Sequence, residues 1–183
     1  ADGEDAYPII LSHFESPIGA AGKTVIPLSG ISRADTVFCN ERGYFEAYKS
    51  DRFGLNNPDN VWGEPTIDIA LIGDSFAHGY CVPRAESLTG QLRKKVPATI
   101  NLGVGSRGPL VELAMLTEFA SRIKPRFVLW AYTECNDLDN LRYEAQNAFF
   151  RRSLADAGHN QNLFDRQADV DSALMTYFRS ITE

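Results

Sequence analysis

Three short apolar runs recur along the chain at residues 67–72, 98–102 and 126–132. Apolar runs of this length, bounded by polar residues and glycine, predict buried β-strands. The stretches between them, 84–96 and 110–123, carry apolar residues at helical spacing. Strands that alternate with helices predict a parallel sheet with right-handed crossovers. We therefore expect an α/β fold, a three-layer parallel sheet of the flavodoxin-like kind.

The flanking regions follow other patterns. Residues 36–40 and 44–48 surround a turn that contains Gly43, which predicts an N-terminal β-hairpin. After Asn136 the pattern becomes helical, with candidate helices at 138–154 and 163–181. We expect an N-terminal extension over 1–64 and an α/β core over 65–183. Doubly wound sheets usually have about five or six strands. A core of three is therefore either minimal or truncated at its C-terminus.

Composition narrows the class of protein. The 183 residues are 44% hydrophobic and carry a net charge of −6, which is typical of one folded domain. Because like charges form no long block, we expect no nucleic-acid partner. No apolar run reaches the ~18 residues of a membrane-spanning helix. We expect no membrane span in this chain.

The three cysteines, Cys39, Cys81 and Cys135, lack the paired spacing of a zinc site, so we expect no bound metal. A Cys39–Cys81 disulfide would contribute about 4 kcal/mol in the chain-entropy model. Three reduced thiols are an equal alternative. The chain begins at Ala1 without a leader, as a processed or excised product would. With the possible disulfide, this favours the extracytoplasmic (periplasmic or secreted) side of a bacterial cell.

Polar residues follow each predicted core strand, at 73–79, 101–108 and 132–137. In open α/β sheets, ligands bind beyond the carboxyl ends of the strands. Ser75 directly follows the first strand and opens a helix. A serine there is either a nucleophile beside free backbone N–H groups or a helix N-cap.

Together these segments resemble three sequence blocks of the SGNH, or GDSL-type, hydrolases. Residues 73–76 (GDSF) match the first block, 101–105 (NLGVG) resemble the second, and 136–137 (ND) match the end of the third. The resemblance implies a serine esterase or acyl-esterase that works through an acyl-enzyme and needs no cofactor. Its substrate would be a small-molecule ester or an O-acylated carbohydrate.

Carried over residue by residue, the resemblance makes Ser75 the nucleophile. The N–H of Ser75, an N–H near Gly105 and the side-chain amide of Asn136 would form the oxyanion hole. Ser106 stands where the family's second block has a glycine, so either Gly105 or Ser106 is the second donor. Glu134 replaces the glycine of the third block.

The catalytic base is the open question. The family supplies a histidine within Asp-x-x-His, and Asp156 and His159 match that pattern, although soon after Asn136. His78 fits a supporting or substrate-contact role, and His13 fits a surface position. The alternative is a catalytic histidine outside this chain, which would leave an incomplete fragment. A non-catalytic SGNH-like binding module is the main rival function. A flavodoxin-like phosphate binder is disfavoured by Asp74.

Two further groups of residues are interpreted as structural or peripheral. The aromatic residues of the strands and their flanks are predicted to pack in the core or on the sheet: Trp62, Phe127, Trp130 and Tyr132. Three polar residues upstream of the first core strand are candidates for the rim of the pocket: Asp51, Asn56 and Asn57.

Overall fold

The computed structural model describes residues 6–9, 16–20 and 22–182. His13 lies outside the described residues. In the N-terminal part, strands β1 (Ala6–Pro8), β2 (Ile18–Ala20) and β3 (Lys23–Val25) are followed by β4 (Asp35–Cys39) and β5 (Glu46–Lys49). β4 pairs antiparallel with β5 and parallel with β1, while β2 pairs with β3. The hairpin predicted at 36–40 and 44–48 is therefore present.

The central sheet contains β6 (Ile69–Gly73), β7 (Thr99–Asn101) and β8 (Phe127–Ala131). Its order is β7-β6-β8, and both neighbours run parallel to β6. The register sets Ile69 beside Thr99 on one side and beside Phe127 on the other. The prediction of a mixed α/β fold with a parallel sheet is confirmed at this level.

Helices connect the strands as the alternation predicts, but they are shorter. α1 (Ser75–His78) and α2 (Leu88–Arg93) lie between β6 and β7. Ser87 caps α2, because its hydroxyl accepts the Gly90 N–H at 3.1 Å. Between β7 and β8 a continuous helical segment comprises α3 (Pro109–Met115), a π-helical turn (Leu116–Ala120) and α4 (Ser121–Ile123).

Beyond β8 the chain is helical. α5 (Asp137–Glu144) and α6 (Ala148–Ala155) replace the single helix predicted over 138–154. The interruption has a local cause: the Asn147 side chain accepts the Phe149 N–H at 2.8 Å and starts a new helix. A 3-10 turn and the long helix α7 (Gln167–Thr182) follow. Among the described residues, no helix is both long and apolar enough to cross a membrane.

One hydrophobic core joins the N-terminal part to the sheet. Leu28 and Leu55 pack in the same cluster as Ile100 of β7 and Leu174 of α7. Fully burying a side chain of this size stabilises the fold by roughly 1.5–3 kcal/mol. Trp62 belongs to an aromatic cluster with Phe53, Phe119 and Phe164, as the packing prediction requires.

The strand β8 differs from the rest of the core. Phe127 is 61% exposed and Trp130 56% exposed, and Tyr132 just beyond the strand is exposed as well. The prediction that these three aromatic residues are packed was wrong. Composition cannot tell a covered strand from an uncovered one, and the described residues leave most of β8 uncovered.

Candidate functional site

Asp74 connects the first and third strand-end loops. It caps α1, because its Oδ1 accepts the Phe76 N–H at 3.1 Å. The same oxygen accepts the Thr133 hydroxyl at 3.1 Å, and Oδ2 accepts the Asn136 side-chain N–H at 2.9 Å. The carboxylate is 1% exposed. Ser75 and Asn136, which the sequence pairs in one site, are thus held on either side of a single buried group.

Glycine permits the close approach of these loops. A Cβ at Gly73, whose φ is +151°, would lie 2.8 Å from the Ala131 carbonyl oxygen. A Cβ at Gly103 would lie 2.5 Å from that of Ala77 in α1. Contacts under 3.0 Å are not tolerated, so any side chain at either position would push the loops apart.

Ser75 is half-buried and faces a cleft of about 540 Å³. The walls are mainly apolar, and Phe76 beside Ser75 is 67% exposed. Two carboxylates, Glu41 and Glu86, lie at its edge. The other lining residues are Gly79, Tyr80, Val82, Ser87 and Leu88. The volume lies within the range of roughly 300–1,000 Å³ that is typical of small-ligand pockets.

The second strand-end loop is held by His78. The Gly105 N–H donates to His78 Nδ1 at 3.1 Å, and Tyr48 Oη lies 2.9 Å from Nε2. Because Nδ1 accepts, the neutral ring carries its proton on Nε2 and donates it to Tyr48. Burial, and then the charge of Arg107, lowers the pKa of His78 to about 4.

Two consequences follow for the site. The N–H of Gly105 is engaged by His78, so it is not available to an oxyanion. Both ring nitrogens of His78 have partners and the side chain is buried, which excludes it as the base for Ser75 and fits a supporting role. Ser106, the alternative donor, is exposed with φ of +60°. Its N–H has no hydrogen-bond partner among the described residues.

The structure does not bring His159 to Ser75. His159 stacks on Phe149 with ring centroids 4.4 Å apart, and its own segment is fixed by Glu118, which accepts the Leu163 N–H at 2.8 Å. Glu118 follows Pro109 by nine residues on a helical segment that leads back to the amino end of β8. At 1.5 Å per residue, Glu118 lies about 14 Å along this helical segment from Pro109, which is the end of the segment that follows β7.

Asp156 does not orient the His159 ring either. Its carboxylate is exposed and accepts the Gly158 N–H at 2.9 Å. The Nε2 of His159 is buried without a partner in the described part of the chain. With His78 engaged and His159 at the other end of the sheet, no imidazole of the described residues faces Ser75.

The polar residues proposed for the pocket rim are buried instead. Asn57 joins Asp51 to β7, since its side chain bonds both the N–H and the carbonyl of Asn101, at 2.8 and 2.9 Å. Asn56 donates to the His78 carbonyl at 3.0 Å. These residues fix β7 and α1 relative to the N-terminal part and do not line the cleft. Sequence position alone could not distinguish residues that hold the elements of the site in place from residues that line the cleft.

Sequence reasoning missed Glu112. It is 2% exposed, and its Oε2 accepts the indole N–H of Trp130 at 2.6 Å while Oε1 has no partner among the described residues. Burial raises its pKa to about 8, helped by the nearby charges of Asp137 and Asp74. An acidic residue on the apolar face of a predicted helix was the available signal.

A disulfide joins the hairpin to the site. Cys39 at the end of β4 is bonded to Cys81, which follows α1 closely, with Cα atoms 5.5 Å apart. Of the two alternatives open from the sequence, the structure therefore has the bridged one. Cys135 is free and exposed, and its Sγ lies 3.7 Å from Oδ1 of Asn136.

Comparison with known proteins finds no relative of this chain: no family model, no curated protein and no solved structure matches it.

Proposed function

We propose that this chain is an ester hydrolase of the SGNH type with Ser75 as its nucleophile. One observation carries the proposal. The Asp74 carboxylate binds Asn136 and Thr133 of the third loop while capping the helix that Ser75 begins. The SGNH resemblance places a nucleophile and an oxyanion donor on these two loops, and the geometry supports it by joining them.

In the proposed reaction, Ser75 Oγ attacks the ester carbonyl carbon and forms an acyl-serine. The C–O bond of the ester breaks, and the alcohol leaves with a proton. Water then releases the acid and restores the serine. The charge that develops on the carbonyl oxygen needs donors. The side-chain amide of Asn136 has two N–H groups and Asp74 engages one of them, which leaves the second for this role.

The N–H of Ser106 is the better candidate for the second donor, because that of Gly105 is held by His78. The described residues offer no imidazole as the base that accepts the Ser75 proton, because His78 is engaged on both ring nitrogens and His159 stacks on Phe149. The apolar walls of the cleft suit an acyl group, and the carboxylates of Glu41 and Glu86 disfavour an anionic one. An O-acylated carbohydrate remains part of the proposal through the family resemblance.

A fluorophosphonate probe tests the nucleophile directly. We expect labelling of the wild-type protein and none of Ser75→Ala, while Ser180→Ala, which alters an exposed serine on α7, is labelled like wild type. A folded wild-type protein that is neither labelled nor active on p-nitrophenyl acetate would contradict the esterase. That result would favour the second candidate, an SGNH-like binding module, which the position of His159 supports.

The oxyanion donor has a separate test. Asn136→Ala should lower kcat for p-nitrophenyl acetate by ~10²–10³-fold with little change in KM, because the donor acts on charge present only in the transition state. Asn160→Ala, at an exposed asparagine far along the chain, is the matched control. A rise in KM at constant kcat would instead assign Asn136 to substrate binding.

A further inference from the structure

The strand β8 has one unpaired edge. It pairs with β6 on one side, and no strand of the described residues pairs with the other side. An edge strand presents a row of free N–H and C=O groups that another strand can pair with. The carboxyl end of β8 leads to Asn136, but the cleft in front of Ser75 has no lining residue from β8.

Both faces of β8 are exposed as well. Trp130 projects from one face, and Phe127 and Leu129 from the other, since side chains alternate along a strand. Leu129 is 40% exposed, whereas Ile72 of β6 and Ile100 of β7 are at most 1% exposed. A continuous apolar run of this kind is typical of a strand that is covered on both faces.

Natural proteins usually protect a free edge with a charge, a proline or a bulge. Residues 127–131 (FVLWA) contain no charge and no proline, and their register with β6 is regular. The edge is therefore open to pairing over the full length of the strand.

The charges at the two ends of β8 decide which partner fits. Lys124 precedes the strand and Glu134 follows it, and both are exposed. Arg126 also precedes the strand, but it is paired with Asp68 of the same chain at 3.1 Å. Two antiparallel copies place the basic end of one strand beside the acidic end of the other. If Leu129 lies opposite its own counterpart, Lys124 lies opposite Glu134 of the second copy. A parallel arrangement would bring like charges together.

We propose that β8 pairs antiparallel with β8 of a second copy of this chain, joining two three-stranded sheets into one. The contact is isologous, so it closes as a two-fold dimer and does not propagate. Apolar side chains on both faces lose water at the junction, which supplies the driving force. The dimer proposal does not rest on the esterase proposal, although its contact adjoins the site, because Glu134 lies two residues before Asn136.

Sedimentation velocity over a wide concentration range tests the dimer. We expect a species of twice 20.3 kDa that dissociates on dilution. Leu129→Lys should be monomeric, because it places charges side by side on the paired strands. Ile181→Lys is the matched control: Ile181 is 60% exposed on α7 and its replacement should leave the dimer intact. Far-UV circular dichroism checks that each variant is folded.

A charge exchange tests the orientation. Glu134→Lys and Lys124→Glu should each raise the dissociation constant several-fold, and the double variant should restore it. A double variant whose dimer has a higher dissociation constant than that of either single variant would overturn the antiparallel arrangement. A wild-type monomer at every concentration, a polymer of indefinite length, or a dimer unaffected by Leu129→Lys would overturn the proposal. The monomer result would point to another occupant of the edge, either a strand outside the given 183 residues or a strand from a different polypeptide.

Discussion

Two buried carboxylates show how differently the two sides of the sheet are built. Asp51, on the β7 side, is fully buried and accepts four hydrogen bonds, from the N–H groups of Phe53 and Leu55 and the side chains of Asn57 and Trp62. Glu112, on the β8 side, is almost as buried but accepts one, from Trp130.

The difference follows from where the N-terminal part lies. Residues 50–62 fold back beside β7 and bring their own donors to the carboxylate they bury. No comparable segment of the described residues covers β8. Burial raises the pKa of both acids, but four hydrogen bonds oppose that rise at Asp51 and only one opposes it at Glu112, so stability depends more strongly on the protonation of Glu112.

The largest effect is expected at Asp51. Asp51→Ala leaves four buried donors without their acceptor, so we expect the free energy of unfolding to fall by about 4 kcal/mol. Equilibrium urea unfolding measures it. Asp59→Ala is the control, because the Asp59 pair with Arg52 is partly exposed and should contribute at most about 1 kcal/mol. Equal effects of the two variants would remove the distinction between the two sides.

The second effect is a loss of stability in acid through His78. Its folded pKa of about 4 lies below the ordinary 6.5, so the unfolded chain binds the proton more strongly. The neutral His78 ring therefore contributes its full share to the free energy of unfolding above pH 6.5. This share is lost as the pH falls towards 4, by about 3 kcal/mol in total. His78→Gln should lack this slope. The unfolding free energies of both proteins are measured across that pH range, and the difference between the two curves gives the loss that His78 causes. Parallel curves would contradict the prediction.

The smallest effect has the opposite sign and belongs to Glu112. Its folded pKa of about 8 lies above the ordinary 4.5, so stability is full below pH 4.5 and is lost as the pH rises through 8. Glu112→Gln imitates the protonated acid and should be more stable than wild type by about 2 kcal/mol at pH 6, where only the unfolded chain has lost the proton. The two proteins should have similar unfolding free energies near pH 4.5. A variant less stable than wild type in alkali would show that the Glu112 carboxylate is satisfied.

The sequence was most informative where pattern and burial agree. The three parallel strands and the hairpin follow from apolar runs and turn residues, because a strand buried in a core must be apolar. The break at Asn147 was missed because a capping asparagine looks like any other polar residue in a helical pattern. The exposure of Trp130 was missed because an apolar sequence shows that a strand is suited to burial but does not show whether another element covers it.

The candidate site was predictable in part for a similar reason. Parallel strands bring Asp74, Ser75 and Asn136 to one edge by topology alone. The roles of Gly105, His159 and Asp156 depend on which partner each side chain meets. The Gly105 N–H meets His78, a residue far away in sequence, and the Asp-x-x-His spacing is satisfied equally well by the turn that follows α6.

The Cys39–Cys81 bond spans the exposed turn of the hairpin, in which Arg42 lies. A protease cut after Arg42 would separate the backbone into two pieces, one holding each cysteine. The pieces would remain a single molecule until a reductant releases them, so a nicked sample would migrate as one chain on a non-reducing gel and as two after thiol treatment.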